Sequence, residues 1–394
     1  MTTRFLPQQP LRIAYVVNNA AFFVSHRLPI ALAARAKGCE VMLFTGHAGS
    51  VLLESQALLD LQGARIAHRA VSFGSAGVNV VTEFVGFLQL VHRLWRFKPD
   101  IVHCASPKGI LYGGLAARLI RAQGLVLAVS GMGYLFTGTS SGWKALARRC
   151  YQSLVRLAYR HPNKFGIVQN RDDLRSLVDL KLAKEDELAL IPGSGVRLGD
   201  YARLDTPRRA ELVVLPARML KDKGVVEFVQ AARSLRAGGC DWRFALVGTA
   251  DYQNPSAVPI DDIRGWVAEG IVEWWGHQRD MVSVLAQASI VCLPSYREGM
   301  PKALLEGAAA GCAVVTTDVV GCREAVIDGQ TGDLVPPRDA AALATCLLAL
   351  IGDRQRRERY AIQGKQLAAS RFSLEAVVEK TLSIYQDLMH RANE

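Results

Sequence analysis

IVCLPSYREGMPKALLEGAAAGCAVVTT, residues 290–317, reads as strand, loop, helix and strand. Ile290–Leu293 is apolar on successive residues, as a strand covered on both faces should be. Pro301 suits the first turn of a helix, where its missing N–H leaves no partner wanting. That helix runs to about Ala310 with Gly311 as its stop, and Ala313–Thr316 starts the next strand. Two carboxylates mark the unit, Glu298 in the loop and Glu306 inside the helix. The backbone N–H groups of Gly299, Met300 and their neighbours stand at a helix N-terminus, an anion site suited to phosphate or sugar hydroxyls. A carboxylate beside them can accept hydrogen bonds from sugar or ribose hydroxyls. On the residues alone, two surface glutamates flanking an ordinary helix is the other reading. The apolar stretch Ala308–Ala310 favours a buried element with charges at its mouth.

The same rhythm extends outward. Before it lie Glu211–Leu215, Phe244–Val247 and Val272–Trp275. In the first half come Leu11–Val17, Cys39–Phe44, Ile101–Cys104, Val126–Ser130, Gly166–Gln169 and Leu188–Ile191. Helical stretches such as LPIALAARAK (28–37) and Thr82–Phe97 separate them, which is the βαβ pattern of parallel sheets. The pattern breaks at IPGSGVRLGDYARLDTPRR (191–209), where Pro and Gly cluster as in a linker. The expected architecture is α/β, two Rossmann-like doubly wound domains with an inter-domain cleft. Residues 1–195 form the first domain, 196–207 the linker and 208–370 the second; a C-terminal helix over 371–394 crosses back to the first. Ligands of such sheets bind at the carboxyl ends of the strands.

A second motif follows the first strand of the second half: PARMLKDKG (216–224). Arg218 and Lys223 sit in a strand-to-helix loop, where a guanidinium fork and an ammonium can pair with a diphosphate. A solvated basic loop is the plainer alternative.

The chain has 394 residues and a formal net charge of +11. Residues 1–200 carry 24 Lys+Arg against 12 Asp+Glu, so +12, and the remainder carries 23 against 24, so −1. The excess therefore lies wholly in the first half and points to an anionic partner there. SSGWKALARRCYQSLVRLAYRHPNK (140–164) is a basic amphipathic stretch of the kind that lies in the headgroup region of an anionic membrane; a core helix with a solvated basic face is its alternative. GMGYLFTG (131–138), just before it, is a candidate acceptor loop. No nucleic-acid motif accompanies the aromatic and basic residues, so no nucleic-acid partner is expected. No signal peptide is evident and no run approaches the ~20 apolar residues of a membrane-spanning helix. The eight cysteines show no zinc or redox spacing and read as buried thiols of a cytoplasmic protein.

Taken together, the two glutamates with seven residues between them, GCAVVTTDVVGCREAVIDGQTGDLVPP (311–337), the R-x-x-x-x-K pair, VEWWGHQRDM (272–281) and the IPGSGV linker resemble family 4 retaining glycosyltransferases of the GT-B fold. The resemblance covers essentially the whole chain. FFVSHRLPIAL (22–32) and DIVHCASPKG (100–109) are similar to bacterial members that extend undecaprenyl-diphosphate-linked saccharides. The resemblance implies that Glu306 binds the donor ribose and that Glu298 contacts the donor sugar and helps stabilise the transition state. Arg218 and Lys223 would hold the diphosphate, Gly276 and His277 the base, and Gly299, Met300 and Pro301 the sugar and phosphates. The family's first loop usually carries a glycine pair near the phosphates. Here Asn18, Asn19, Ala20 and Ala21 take its place, with Asn19 as the donor-side residue. Where many members have H-x-H, this chain has His103-Cys104-Ala105, and His103 is either a site residue or a packed strand end. His26 and Lys108 look like subfamily residues of the active site, and for His26 a helix-capping role is the alternative. The donor would be a UDP-sugar and the partners a lipid-linked saccharide acceptor and an anionic membrane surface, on the inner face of the plasma membrane. No Asp-x-Asp motif closes a strand, and Asp261 and Asp262 read as surface residues, so no essential metal is expected. Two other functions use parts of this pattern. An epimerase or hydrolase of the same fold would use the donor site without an acceptor, and a non-catalytic membrane-surface protein would need neither glutamate.

Overall fold

The computed structural model describes residues 10–47, 51–74, 80–131, 143–204, 211–250 and 254–394. The proposed acceptor loop beyond Gly131, the first residues of the basic stretch and linker residues 205–209 lie outside this set. The chain divides into two compact units, one of Met1–Ile191 with Val377–Glu394, the other of Pro192–Ala376.

The first unit is built on β1 (Arg12–Val17), β2 (Glu40–His47), β3 (Ala67–Gly74), β4 (Ile101–Ala105), β5 (Gly124–Ala128), β6 (Lys164–Val168) and β7 (Leu188–Leu190). They form one parallel sheet in the order β3-β2-β1-β4-β5-β6-β7. Alternate residues of β1 face opposite cores. Ile13, Tyr15 and Val17 point to one side, Ala14 and Val16 to the other. On the Tyr15 side, Val377, Leu382, Ile384, Tyr385 and Leu388 of the last helix (Leu374–Asn393) complete the core. The other side is covered by the helices Val80–Phe97, Gly114–Ile120 and Trp143–Ala158.

The second unit holds β8 (Leu212–Pro216), β9 (Arg243–Val247), β10 (Glu273–Trp274), β11 (Ile290–Leu293), β12 (Ala313–Thr317) and β13 (Gly332–Val335). Their order is β10-β9-β8-β11-β12-β13, again all parallel. In both sheets the strand order reverses direction once, between β1 and β4 and between β8 and β11. The loops after those strands are therefore the topological switch points at which doubly wound sheets bind ligands.

Two strands escape the sequence reading, β3 and β13, and both are sheet edges. β3 exposes Ala67, Arg69 and Ala70 and hides only its far end, so it lacks the unbroken apolar run of a central strand. β13 is four residues long and opens on Gly-Asp. β5 lies two residues earlier than expected. Pro301 is the N-cap rather than the first helical residue; the helix is Lys302–Ala309, and the Pro301 carbonyl accepts from Leu304 N at 3.0 Å.

Candidate active site

In the second unit the loops after β8 and β11 are fastened to each other. Tyr296 N donates to the Asp222 carbonyl at 2.9 Å. Gly224 adopts φ +71 and lies so close to Pro294 that an added Cβ would stand 2.7 Å from its carbonyl carbon; only glycine allows that approach. Across this junction Lys223 Nζ pairs with Glu298 Oε1, and Ser295 Oγ donates to the same oxygen at 2.8 Å. Glu298 N donates to the Val320 carbonyl at 3.1 Å. Beneath this backbone sits Gly321 at φ +82, where a Cβ would stand 2.5 Å from the Gly299 carbonyl oxygen. The turn after β12 thus forms the floor under Glu298 and Gly299. Burial, then the charge of Glu298, pushes the Cys322 thiol up to about 12, so that sulfur is a packing group.

Gly299, Met300 and Pro301 are buried. Glu306, one turn into the helix that follows, pairs with Lys302 Nζ at 3.3 Å and accepts a hydrogen bond from the Tyr201 hydroxyl. Burial, then the Glu306 charge, holds Tyr201 far above the ordinary phenol value. It therefore stays a donor that aims the carboxylate. Arg218 is exposed in the loop after β8, and its carbonyl accepts from Leu220 N at 2.7 Å. Gly276 adopts φ +64, its carbonyl accepts from Gly248 N at 2.8 Å, and His277 beside it is exposed. A second ring of bonds supports the β11 loop. The Tyr296 hydroxyl donates to Glu227 at 2.5 Å, and Arg338 lies 4.6 Å from the Tyr296 ring centre.

In the first unit the switch-point loops meet at Asn18, whose Oδ1 accepts from Ser106 Oγ at 2.7 Å and from Lys108 N at 3.1 Å. Ser106 holds φ +71, a strained backbone for a non-glycine residue. Asn19 caps the helix Ala20–His26, accepting from Phe22 N at 2.8 Å. The amides of Ala20 and Ala21 donate to the carboxylate of Glu54 at 3.1 and 3.3 Å. His26 stacks on Phe22, with ring centres 4.6 Å apart. Lys108 Nζ pairs with Glu83 at 2.7 Å and donates to the Gly74 carbonyl at 2.6 Å, while Tyr112 donates to the other Glu83 oxygen at 2.6 Å. His103 is fully buried inside β4, stacked on Tyr15 and bonded through Nδ1 to the Tyr385 hydroxyl at 2.7 Å. Burial pushes it well below the usual histidine value, so it is a neutral core residue.

Among the described residues no group of three or more His, Cys, Asp or Glu is placed to hold a metal ion. Asp261 and Asp262 lie exposed in the first turn of the helix Ile260–Ala268. Tyr201, Ser295, Gly321 and Glu54 were not expected as parts of the site. Gly321 alone left a signal, a glycine inside the 311–337 signature.

Two doubly wound parallel units, one carrying a carboxylate–ammonium pair at its switch point, describe a glycosyltransferase of the GT-B fold. The family model for group 1 glycosyl transferases matches residues 210–353, and that for the glycosyl transferase 4-like family matches residues 12–169. The chain belongs to these glycosyltransferases. It is 26% identical over 389 residues to the N,N'-diacetylbacillosaminyl-diphospho-undecaprenol alpha-1,3-N-acetylgalactosaminyltransferase of Campylobacter jejuni, covering 95% of this chain and 98% of that one. It is 22% identical over 326 residues to the capsular polysaccharide biosynthesis glycosyltransferase CapM of Staphylococcus aureus, covering 79% and 83%. Among solved structures, Anabaena Alr3699/HepE in complex with UDP shares the fold with a TM-score of 0.75 at 14% identity, over 96% of this chain and 100% of that one.

Proposed function

We propose that the protein transfers an N-acetylhexosamine or related sugar, with retention of anomeric configuration, from a UDP-sugar to an undecaprenyl-diphosphate-linked saccharide in O-antigen, capsule or related glycan biosynthesis. Its place is the inner face of the plasma membrane. The observation that carries the reading is the Lys223–Glu298 pair at the β8/β11 switch point. It is supported by similarity along nearly the full length to an enzyme named for a diphospho-undecaprenol acceptor.

In the reaction the acceptor hydroxyl oxygen bonds to the anomeric carbon as the bond from that carbon to the β-phosphate oxygen breaks. Negative charge grows on the departing diphosphate, and Arg218, Lys223 and the amides near Gly299 neutralise it without a metal. The acceptor proton passes to the departing phosphate. Glu298 orients the donor sugar and balances positive charge at the anomeric carbon. Glu306, aimed by Tyr201, accepts from the ribose hydroxyls, and the backbone at Gly276 and His277 meets the base. Met300 and Pro301 line the sugar end.

The test is a panel of UDP-sugars offered with undecaprenyl-diphosphate-linked mono- and disaccharides. Transfer of one sugar to one of these acceptors is the expected outcome. Donor consumption that is indifferent to acceptor would overturn the reading.

A further inference from the structure

The first unit presents an apolar face that stays exposed among the described residues. On the helix Val80–Phe97, residues Glu83, Gly86, Leu90, Leu94 and Phe97 are buried. Val81, Phe84, Val85, Leu88 and Trp95 recur at helical spacing on the other side, where Phe84 and Trp95 are 61% and 62% exposed. A surface helix ordinarily carries polar residues there. Its neighbour Gly114–Ile120 exposes Leu119, and the next helix in the row, Trp143–Ala158, exposes Leu146, Leu154 and Leu157. All three lie on the same side of the sheet.

The charges of this layer have one sign. The three helices contain a single acidic residue, Glu83, and it is buried in its pair with Lys108. Among the described side chains the exposed charges are Arg96, Arg149 and Arg156, with Lys98, Arg121 and Arg160 just past the helix ends. Apolar side chains rimmed by cations, with no exposed anion, match a surface that is apolar below and anionic above. A second copy of this chain seated by two-fold symmetry would bring the same arginines against one another.

We infer that this three-helix layer is where the protein lies on an anionic lipid bilayer. The Val81–Trp95 stripe reaches the acyl boundary and the arginines stand at headgroup level. The inference rests on the reading of the acceptor as lipid-linked, and moves the main apolar contact from the 140–164 stretch to the helix Val80–Phe97.

The test uses the full chain and vesicles of phosphatidylglycerol and phosphatidylethanolamine, with phosphatidylcholine vesicles as the uncharged comparison. Phe84→Glu with Leu88→Glu changes exposed positions only, and should lower vesicle binding by about tenfold or more. Arg149→Glu with Arg156→Glu should abolish the preference for anionic vesicles. Both variants should keep parental turnover on a short-chain, water-soluble diphosphate-linked acceptor, which also reports folding. Brominated lipid should quench the fluorescence of the parent more than that of Trp95→Phe. Unchanged vesicle binding by the Phe84/Leu88 variant, or equal quenching of Trp95→Phe and parent, would overturn the inference. So would a lipid-free dimer that this variant splits. Intact vesicle binding with no turnover on any acceptor would support the layer and count against glycosyl transfer.

Discussion

Lys223 and Glu298, 75 positions apart in the chain, are each other's counter-ion. Each follows one of the two strands that flank the switch point, and neither is fully exposed to water. A mostly buried charge left alone costs several kcal/mol, so each side chain keeps the other neutralised. In the proposed reaction a diphosphate would take the ammonium, which would tie donor binding and turnover to this one contact.

Glu298→Ala should therefore act on turnover, cutting kcat by about 10²–10³, the range for removing one transition-state contact. Glu306→Ala should chiefly raise the dissociation constant for UDP, by about tenfold, as loss of a hydrogen-bonded carboxylate would. Initial rates and calorimetric titration with UDP separate the two. In a double-mutant cycle Lys223→Ala should cost less in the Glu298→Ala background than in the parent. Parental activity in both glutamate variants would contradict the site.

Gly321 and Gly329 make a matched pair of probes. Both have positive φ, +82 and +72, but only at Gly321 does an added Cβ meet backbone, while at Gly329 nothing lies within 4 Å. Gly329→Ala should cost about 1 kcal/mol of stability from backbone conformation alone. Gly321→Ala should cost more and also lower kcat, because the floor under Glu298 must shift. Equal effects on denaturation midpoint and rate would refute the role given to that floor.

If the protein's own cations neutralise the leaving diphosphate, prolonged incubation with a chelator should leave activity at its starting value. Restoration by added divalent ion of a rate lost to chelation would count against that mechanism.

Stability should fall on the acid side through buried imidazoles. Burial holds His103 well below the ordinary value and lowers His161 and His68 as well. In the unfolded chain these rings titrate near ~6.5. Below that pH the unfolded chain takes up protons the folded chain refuses, so stability declines from about pH 6.5 downward and is unaffected by these groups above about pH 7.5. Thermal midpoints measured from pH 8 to 5 should drop less steeply for His103→Gln than for the parent. Parallel curves would remove His103 from the account.

What was legible in the sequence was whatever local chemistry repeats. Unbroken apolar runs announced the central strands, and fixed spacing singled out Arg218, Lys223, Glu298 and Glu306, of which the structure pairs Lys223 with Glu298. The edge strands β3 and β13 were not legible, because an edge needs neither two covered faces nor length. Tyr201 and Ser295 were missed for a different reason. Each acts through a partner on another segment, and a hydroxyl's partner has no mark in the chain around it. Glu54 likewise reaches the amides of Ala20 and Ala21 from 34 and 33 positions away.

Tyr385 lies in the core of the first unit, 2.9 Å from the hydroxyl of Tyr15, with 370 positions between them. A chain growing from its N-terminus makes the first sheet early and must leave one of its faces without that helix while the whole second unit is synthesised. The half made first is thus the half finished last. Until Val377–Leu388 arrive, Tyr15, His103 and their neighbours are open to solvent or to a chaperone. Cutting away the last helix would unmake the beginning of the protein rather than its end.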